Sequence, residues 1–241
     1  MSTAVAPTAI GPKAYESWRT TSIGAVTEAL EQNLILELMG DFKGAQVLDV
    51  GCGDGVLACA AASRGAVVIG IDPDPAMLDA ARARAERAGV KADFLDGRIE
   101  RLPFADASFD VVAAITVLCF VADASAAVDE MARVVRPGGR LVIGELGRWS
   151  AWAGIRRLRG WLGAATWKAA RFRTAGELRV LAERAGLRVT TIRGAVFYPP
   201  VGVCARVLAP VDAWLGRRTA MGAAFIALAA DKLLASEGRA A

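Results

Sequence analysis

Histidine is absent from this sequence. The commonest general base and the commonest zinc ligand are therefore both missing. Cys52, Cys59, Cys119 and Cys204 form no C-x-x-C pair. That argues against a zinc site and suits small core residues in a reducing compartment. Long apolar runs are missing too. Nothing approaches the ~20 residues of a membrane span, and "VGVCARVLAP" is broken by Arg206 and Pro210. The opening "MSTAVAPTAIGPK" lacks the basic and apolar regions of a signal peptide, so a cytoplasmic protein is expected. The charge imbalance is small, 29 Lys and Arg against 25 Asp and Glu. A dedicated nucleic-acid binder carries a larger excess.

What is present is a largely apolar chain, 54 % by residue, whose 241 residues suit one α/β domain with a small cap. Residues 1–12 read as a loose tail, and "GAVTEALEQNLILELM" as a helix over 24–39 ended by Gly40. Strands and helices then alternate. Strands are expected at 45–50, 66–72, 91–96, 109–116 and 140–146. Helices are expected at 55–64, 75–88 and 124–135, the last halted by "RPGG". A further helix over 174–186 has Thr174 as its N-cap, and 187–194 and 222–231 read as two final strands. This order predicts an α/β fold: a doubly wound, mostly parallel, seven-stranded Rossmann-like sheet with helices on both faces and a helical cap.

The stretch "VLDVGCGDG", residues 47–55, places Gly51, Gly53 and Gly55 directly after the first strand. In such a sheet, ligands sit at the carboxyl ends of the strands. Dinucleotide enzymes use G-x-G-x-x-G there, with a pyrophosphate at a helix N-terminus. Here the pattern is G-x-G-x-G, preceded by Asp49. A carboxylate is a poor neighbour for pyrophosphate and a good one for an ammonium group, which favours a cofactor with an amino-acid portion. Asp72, ending the second strand, can accept hydrogen bonds from ribose hydroxyls, as nicotinamide enzymes also arrange.

Four motifs in order, "VLDVGCGDG", "GIDPDPAML", "RLPFADASFDVV" and "EMARVVRPGGRLVIGEL", resemble the class I S-adenosylmethionine-dependent methyltransferases. The closer likeness is to the small-molecule group that includes the ubiquinone and menaquinone methyltransferases. The resemblance covers residues 45–146 and implies S-adenosyl-L-methionine as cofactor. It places Asp49, Gly51, Cys52 and Gly53 at the methionine portion, Asp72 at the ribose, Pro73 and Met77 beside the adenine, the Ile99 amide on the adenine ring, and Thr116 on the sulfonium side. Many relatives carry an acidic adenine contact where this chain has Arg98, leaving Asp96 as a substitute two residues earlier. "AYESWRTTSIG" resembles a cap of the same group, read over residues 1–40. Tyr15 and Trp18 would share a helix face and offer cation–π contact to the sulfonium, or simply pin the arm to the core. Arg19 or Thr21 would hold the cofactor carboxylate.

Methyl transfer mainly needs an acceptor held close and in line, with a base only where the acceptor proton has a high pKa. Glu145, at the end of the fifth strand, is the best-placed candidate base, with Tyr198 second; Glu145 also reads as a substrate-positioning group or as a simple structural carboxylate. Cys119 is a pocket-lining residue rather than a nucleophile. Residues 147–173 form a basic, Trp-rich insertion where substrate recognition is expected. Arg148, Arg156, Arg157, Arg159, Lys168, Arg171 and Arg173 alternate with Trp149, Trp152, Trp161 and Trp167, and no acid intervenes. It reads as a peripheral contact with an anionic inner-membrane surface that delivers an apolar, lipid-like acceptor, as an aromatic-walled lid for a soluble small-molecule acceptor, including an acidic one, or as a solvated basic helical pair. Arg–Trp interleaving also suits single-stranded nucleic acid, a minor option here. No metal is implied. The rival functions are a non-catalytic cofactor-binding regulatory protein and an NAD-dependent oxidoreductase.

Overall fold

The computed structural model describes residues 11–234. Most of the expected tail, residues 1–10, lies outside them, and Pro12 already opens helix α1 (Pro12–Thr20). Pro at the first helical position needs no amide partner and is preset in φ. Thr21 ends α1 and caps α2 (Ser22–Met39), its Oγ1 accepting from the Gly24 amide at 3.0 Å. Gly40, at φ 78°, stops α2 as its position in the sequence implies.

The strands are β1 (Gln46–Val50), β2 (Val67–Asp72), β3 (Ala92–Asp96), β4 (Phe109–Ile115), β5 (Val135–Leu146), β6 (Leu187–Ala195) and β7 (Phe225–Lys232). They form one seven-stranded sheet in the order β3-β2-β1-β4-β5-β7-β6. β7 runs opposite to the other six strands, antiparallel to both β5 and β6. The chain moves outward through β1, β2 and β3, then returns to place β4 against β1. The strand order reverses there, and the carboxyl ends of β1 and β4 part to leave a crevice.

Alternation along the strands divides the core between two faces. Val47, Val111 and Val142 join one cluster with α2, α3 (Val56–Ala62) and α4 (Pro75–Ala88). Leu48, Val50, Val112, Leu141 and Ile143 join the other, with α5 (Ala124–Val134) and α8 (Ala175–Arg184). The α8 N-terminus is a reciprocal capping box: Thr174 Oγ1 accepts from the Glu177 amide, and Glu177 accepts from the Thr174 amide at 2.7 Å.

One expectation changes, and one segment without an expected element forms a helix. "RPGG" does not separate a helix from a strand. Val135 is already extended and paired with Phe109, and the register shifts between Phe109 and Val111, where Gly138 (φ 80°) and Gly139 follow on the facing strand. β5 thus begins five residues earlier than its apolar run. The interrupted segment after Tyr198 is a helix, α9 (Gly202–Gly216), which carries Pro210 in its interior. Tertiary contacts override the proline. Buried Asp212 accepts from the amides of Val196 and Phe197 at 3.0 and 2.8 Å, fastening α9 to the end of β6. The basic insertion forms α6 (Ala151–Trp161) and α7 (Ala165–Ala169). Among the described residues, no helix is long and apolar enough to cross a membrane.

Candidate cofactor and acceptor site

A cavity of ≈ 600 Å³ opens at the carboxyl ends of β1, β2 and β4, within the range of small-molecule sites. Its wall brings together all twelve residues expected at the cofactor. Tyr15, Trp18 and Arg19 come from α1, and Asp49, Gly51, Cys52 and Gly53 from the turn after β1. Asp72, Pro73 and Met77 follow β2, Ile99 follows β3, and Thr116 follows β4.

The glycine turn has a specific polarity. The amides of Gly51 and Cys52 both donate to the Ile71 carbonyl, at 2.7 and 3.0 Å. The Gly53 amide donates to Asp72 Oδ2 at 2.9 Å. None of the three is left for a pyrophosphate. One oxygen of buried Asp49, in contrast, has no hydrogen-bond partner. Burial pushes the Asp49 pKa up to about 7, and the Asp72 charge adds to that. A nearby ammonium would reverse the shift and satisfy the orphaned acceptor. At Gly51, φ is 68° and an added Cβ would collide with the Val117 side chain; at Gly53, with φ 52°, the space is open. The residues present therefore fit the amino-acid end of S-adenosylmethionine better than a dinucleotide phosphate.

Asp72 accepts one amide on each oxygen, from Gly53 and from Asp74, the latter at 2.9 Å. Burial raises its pKa. Each oxygen keeps a lone pair that a ribose hydroxyl can use. Asp96 is exposed at the end of β3 and is not part of the wall; Arg98, Ile99 and Glu100 are. Thr116 lies at φ 58°, held by its amide on the Gly144 carbonyl at 2.7 Å. That conformation costs a β-branched residue about 1–3 kcal/mol, and such strain gathers at functional sites.

Other residues have duties the sequence did not reveal. Arg19 pairs with both oxygens of Asp54 and with Glu28, so its guanidinium is engaged within the protein. It also lies 5.5 Å from the Tyr15 ring centroid, on one face of that ring. Thr21 caps α2 and is not on the wall. Glu145 does not reach the cavity: it is 0 % exposed. Neither of its oxygens has a hydrogen-bond partner, and Arg173 Nη1 is likewise buried and unpartnered. The amides of Leu118 and Cys119 face Glu145 without closing a full hydrogen bond. Burial drives its pKa up to about 7, against the pull of Arg173. Tyr198 is also buried away from the wall, its hydroxyl 2.9 Å from Thr27 Oγ1 and its carbonyl accepting from Trp152 Nε1. Cys119 does not line the cavity as expected but is fully buried off its wall, and burial raises its thiol well above its usual range, as suits an inert cysteine. Sequence reading passed over Glu28, Glu31 and Gln32 of α2, all on the wall. Their only signal was helical spacing with Ile35.

The chain matches the family model described as a methyltransferase domain over residues 48–143. It is 35 % identical over 176 residues to a ubiquinone biosynthesis O-methyltransferase of Dinoroseobacter shibae, covering 71 % of each chain. A protein of the same description from Azorhizobium caulinodans is 34 % identical over 162 residues. That match covers 65 % of this chain and 64 % of the relative, so the chain spans just under two thirds of that relative's length. In fold it is similar to a SAM-dependent methyltransferase of Thermotoga maritima, described as a possible histamine N-methyltransferase, with a TM-score of 0.70 and 23 % identity over 91 % of this chain and 95 % of that one. The chain belongs to the class I S-adenosylmethionine-dependent methyltransferases.

Proposed function

We propose that this protein binds S-adenosyl-L-methionine in the β1–β4 crevice and transfers its methyl group to an oxygen of a small, aromatic or lipid-like acceptor. The polarity of the glycine turn carries the reading. Its amides are consumed internally, while Asp49 presents an unpaired acceptor where an ammonium group would sit. The relatives described as ubiquinone biosynthesis O-methyltransferases support oxygen as the acceptor atom and a quinone-like precursor as the acceptor class.

The bound cofactor supplies an activated methyl group on a sulfonium. Asp49 and the Gly51–Gly53 turn would hold its amino-acid end, Asp72 its ribose, and Pro73, Met77 and the Ile99 amide its adenine. Tyr15 and Trp18, on an α1 cap read within residues 1–40, would exclude water and present aromatic faces to the positive charge, worth about 0.5–2 kcal/mol. Residues 147–173 would then cover the acceptor. Titration calorimetry tests the cofactor assignment. S-adenosylhomocysteine should bind and NAD should not, and Asp72→Ala should weaken the former at least tenfold. NAD binding, or an unchanged constant in D72A, would overturn it.

The insertion supports a second element of this reading, a peripheral contact with anionic lipid. Trp161 is 81 % exposed, Leu162 69 % and Leu158 53 %, beside the exposed Arg157 and Arg159. Exposed tryptophan and leucine among cations suit the boundary of headgroups and acyl chains. Such a position would bring a lipid-like acceptor to the cavity.

A further inference from the structure

Seven acidic residues line the cavity, and six are already engaged or lie away from the acceptor end. Glu28 and Asp54 are paired with Arg19, and Asp54 also with Arg84. Asp72 accepts the Gly53 amide, Asp74 caps α4, and Asp49 lies in β1 at the glycine-turn end of the cavity. Glu100 stands beside Ile99 with Arg98 as its partner. The seventh is Glu31, half-buried on α2, which has no hydrogen bond or ion pair among the described residues. Ile35, one turn further along, reaches over β5 at Gly144, whose carbonyl also holds Thr116. Glu31 therefore belongs to the β4–β5 side of the cavity, opposite the ribose-binding strand end.

A cation accompanies it. The Arg156 guanidinium lies over two indoles, 5.1 Å from the Trp152 ring centroid and 4.9 Å from that of Trp167. Trp167 follows Thr166, which is on the cavity wall. Among the described residues, no carboxylate lies at ion-pair distance from Arg156, and Glu31 is the foremost of the charges that favour its charged form.

We propose that Glu31 is the proton acceptor for a phenolic hydroxyl bound at this end of the cavity, with Arg156, held against Trp152 and Trp167 off the cavity wall, as the cation behind it. This rests on the O-methyltransferase reading above. The phenol O–H bond breaks, the proton passes to a Glu31 oxygen, and the electron pair stays on the phenol oxygen. That oxygen bonds to the methyl carbon while the carbon–sulfur pair remains with sulfur, leaving a neutral thioether. Glu145, sealed from the cavity, takes no part. Burial pushes the Glu31 pKa up to about 7; Arg156 from α6 opposes the shift, and Glu28 on α2 and Asp212 on α9 add to it. A base poised there is half-ionised at neutral pH and well matched to a weakly acidic phenol.

The test uses the full chain, its Glu31→Gln and Glu31→Asp variants, and catechol, caffeate and 3,4-dihydroxybenzoate as probes. Binding of S-adenosylhomocysteine is measured first by calorimetry and should be equal in all three proteins. Catechol affinity in that complex should rise through about pH 7 in the wild type and be independent of pH in E31Q. Turnover should follow the same limb, fall roughly 10²–10⁴-fold in E31Q, and recover in part in E31D. Equal cofactor binding with an unaltered pH profile and turnover in E31Q would overturn Glu31 while leaving O-methyl transfer in place. Loss of S-adenosylhomocysteine binding by the wild type would overturn the cofactor reading itself. A wild type that binds the cofactor product but none of the three phenols would overturn the phenolic assignment.

Discussion

Arg19 of α1 grips both oxygens of Asp54, a residue of the glycine turn 35 positions away, with Nη2 to Oδ1 at 2.8 Å. Arg84 of α4 reaches the same carboxylate at 2.6 Å. The cap is thereby latched to the turn it covers. Arg19→Ala should lower unfolding stability by about 1–3 kcal/mol, because Asp54 keeps Arg84 and is not left wholly unpaired. Denaturant unfolding checks this. The same variant should weaken S-adenosylhomocysteine at least tenfold, since α1 carries Tyr15 and Trp18; unchanged affinity would mean that the cap does not contribute to binding.

The latch also has an acid limit. Burial acts against the Asp54 carboxylate, but the Arg19 and Arg84 guanidinium groups outweigh it and hold its pKa below the usual value. A depressed carboxylate stabilises the fold above its unfolded pKa of about 3.9, and that contribution is lost as pH falls through the folded value. Asp54→Asn should therefore cost most stability at pH 7 and progressively less as pH falls below the unfolded pKa of about 3.9, as read by urea midpoints along that series.

Gly51→Ala places a methyl group against Val117 at φ 68°. Two penalties combine, steric overlap and a left-handed backbone, for a loss of about 1–3 kcal/mol. Movement of Val117 would also disturb the cavity wall. Thermal unfolding should fall by several degrees and cofactor-product affinity should drop. Gly53→Ala, with open space at its Cβ, should show only the backbone strain.

Glu145 yields the opposite pH dependence. Burial raises its pKa to about 7, so the folded state holds a proton that the unfolded chain has released by about pH 4.5. Stability from this group is present below about pH 4.5 and declines as pH rises to 7. Glu145→Gln should remove that decline. The stability of E145Q relative to wild type should increase between pH 5 and pH 8, by up to a few kcal/mol. A difference independent of pH would show that Glu145 is ionised in the fold, compensated by Arg173.

For lipid contact, replacing Trp161 and Leu162 by serine removes the most exposed apolar pair of the insertion without touching the buried Trp152. Flotation with phosphatidylglycerol vesicles at low salt should recover the wild type and lose the double variant. Both proteins should bind S-adenosylhomocysteine equally. Wild-type protein that stays in the unbound fraction would eliminate membrane contact.

The cofactor end of the site was legible because its signals are local. Asp49, the three glycines and Asp72 each sit at or just after a strand end, and strand ends are marked by apolar runs that stop; Ile99 came only with the family resemblance. The Thr174–Glu177 capping box was readable for the same reason, since all its atoms lie within one turn. The acceptor end was not. Glu31 looks like any polar residue of an amphipathic helix, and periodicity says which face of α2 is apolar without saying which carboxylate meets a cavity. Arg19 had a plausible ligand role until Asp54, distant in sequence, claimed its guanidinium. Glu145 had the right strand-end position, yet packing around Cys119, Leu146 and Phe172 closes off its surroundings.

Composition and strand–helix alternation alone determined a parallel-rich sheet, a glycine turn suited to an amino-acid-bearing cofactor, and no histidine chemistry. Tertiary structure alone decided which carboxylates are spent on arginines, which are sealed away and which stay open to the cavity. The physical reason is range. Backbone hydrogen bonding and burial of apolar faces act between near neighbours or whole elements, so they leave a periodic trace. The ionisation of one carboxylate, Glu31, depends on charges brought from α6 and α9, and no local pattern records who they will be.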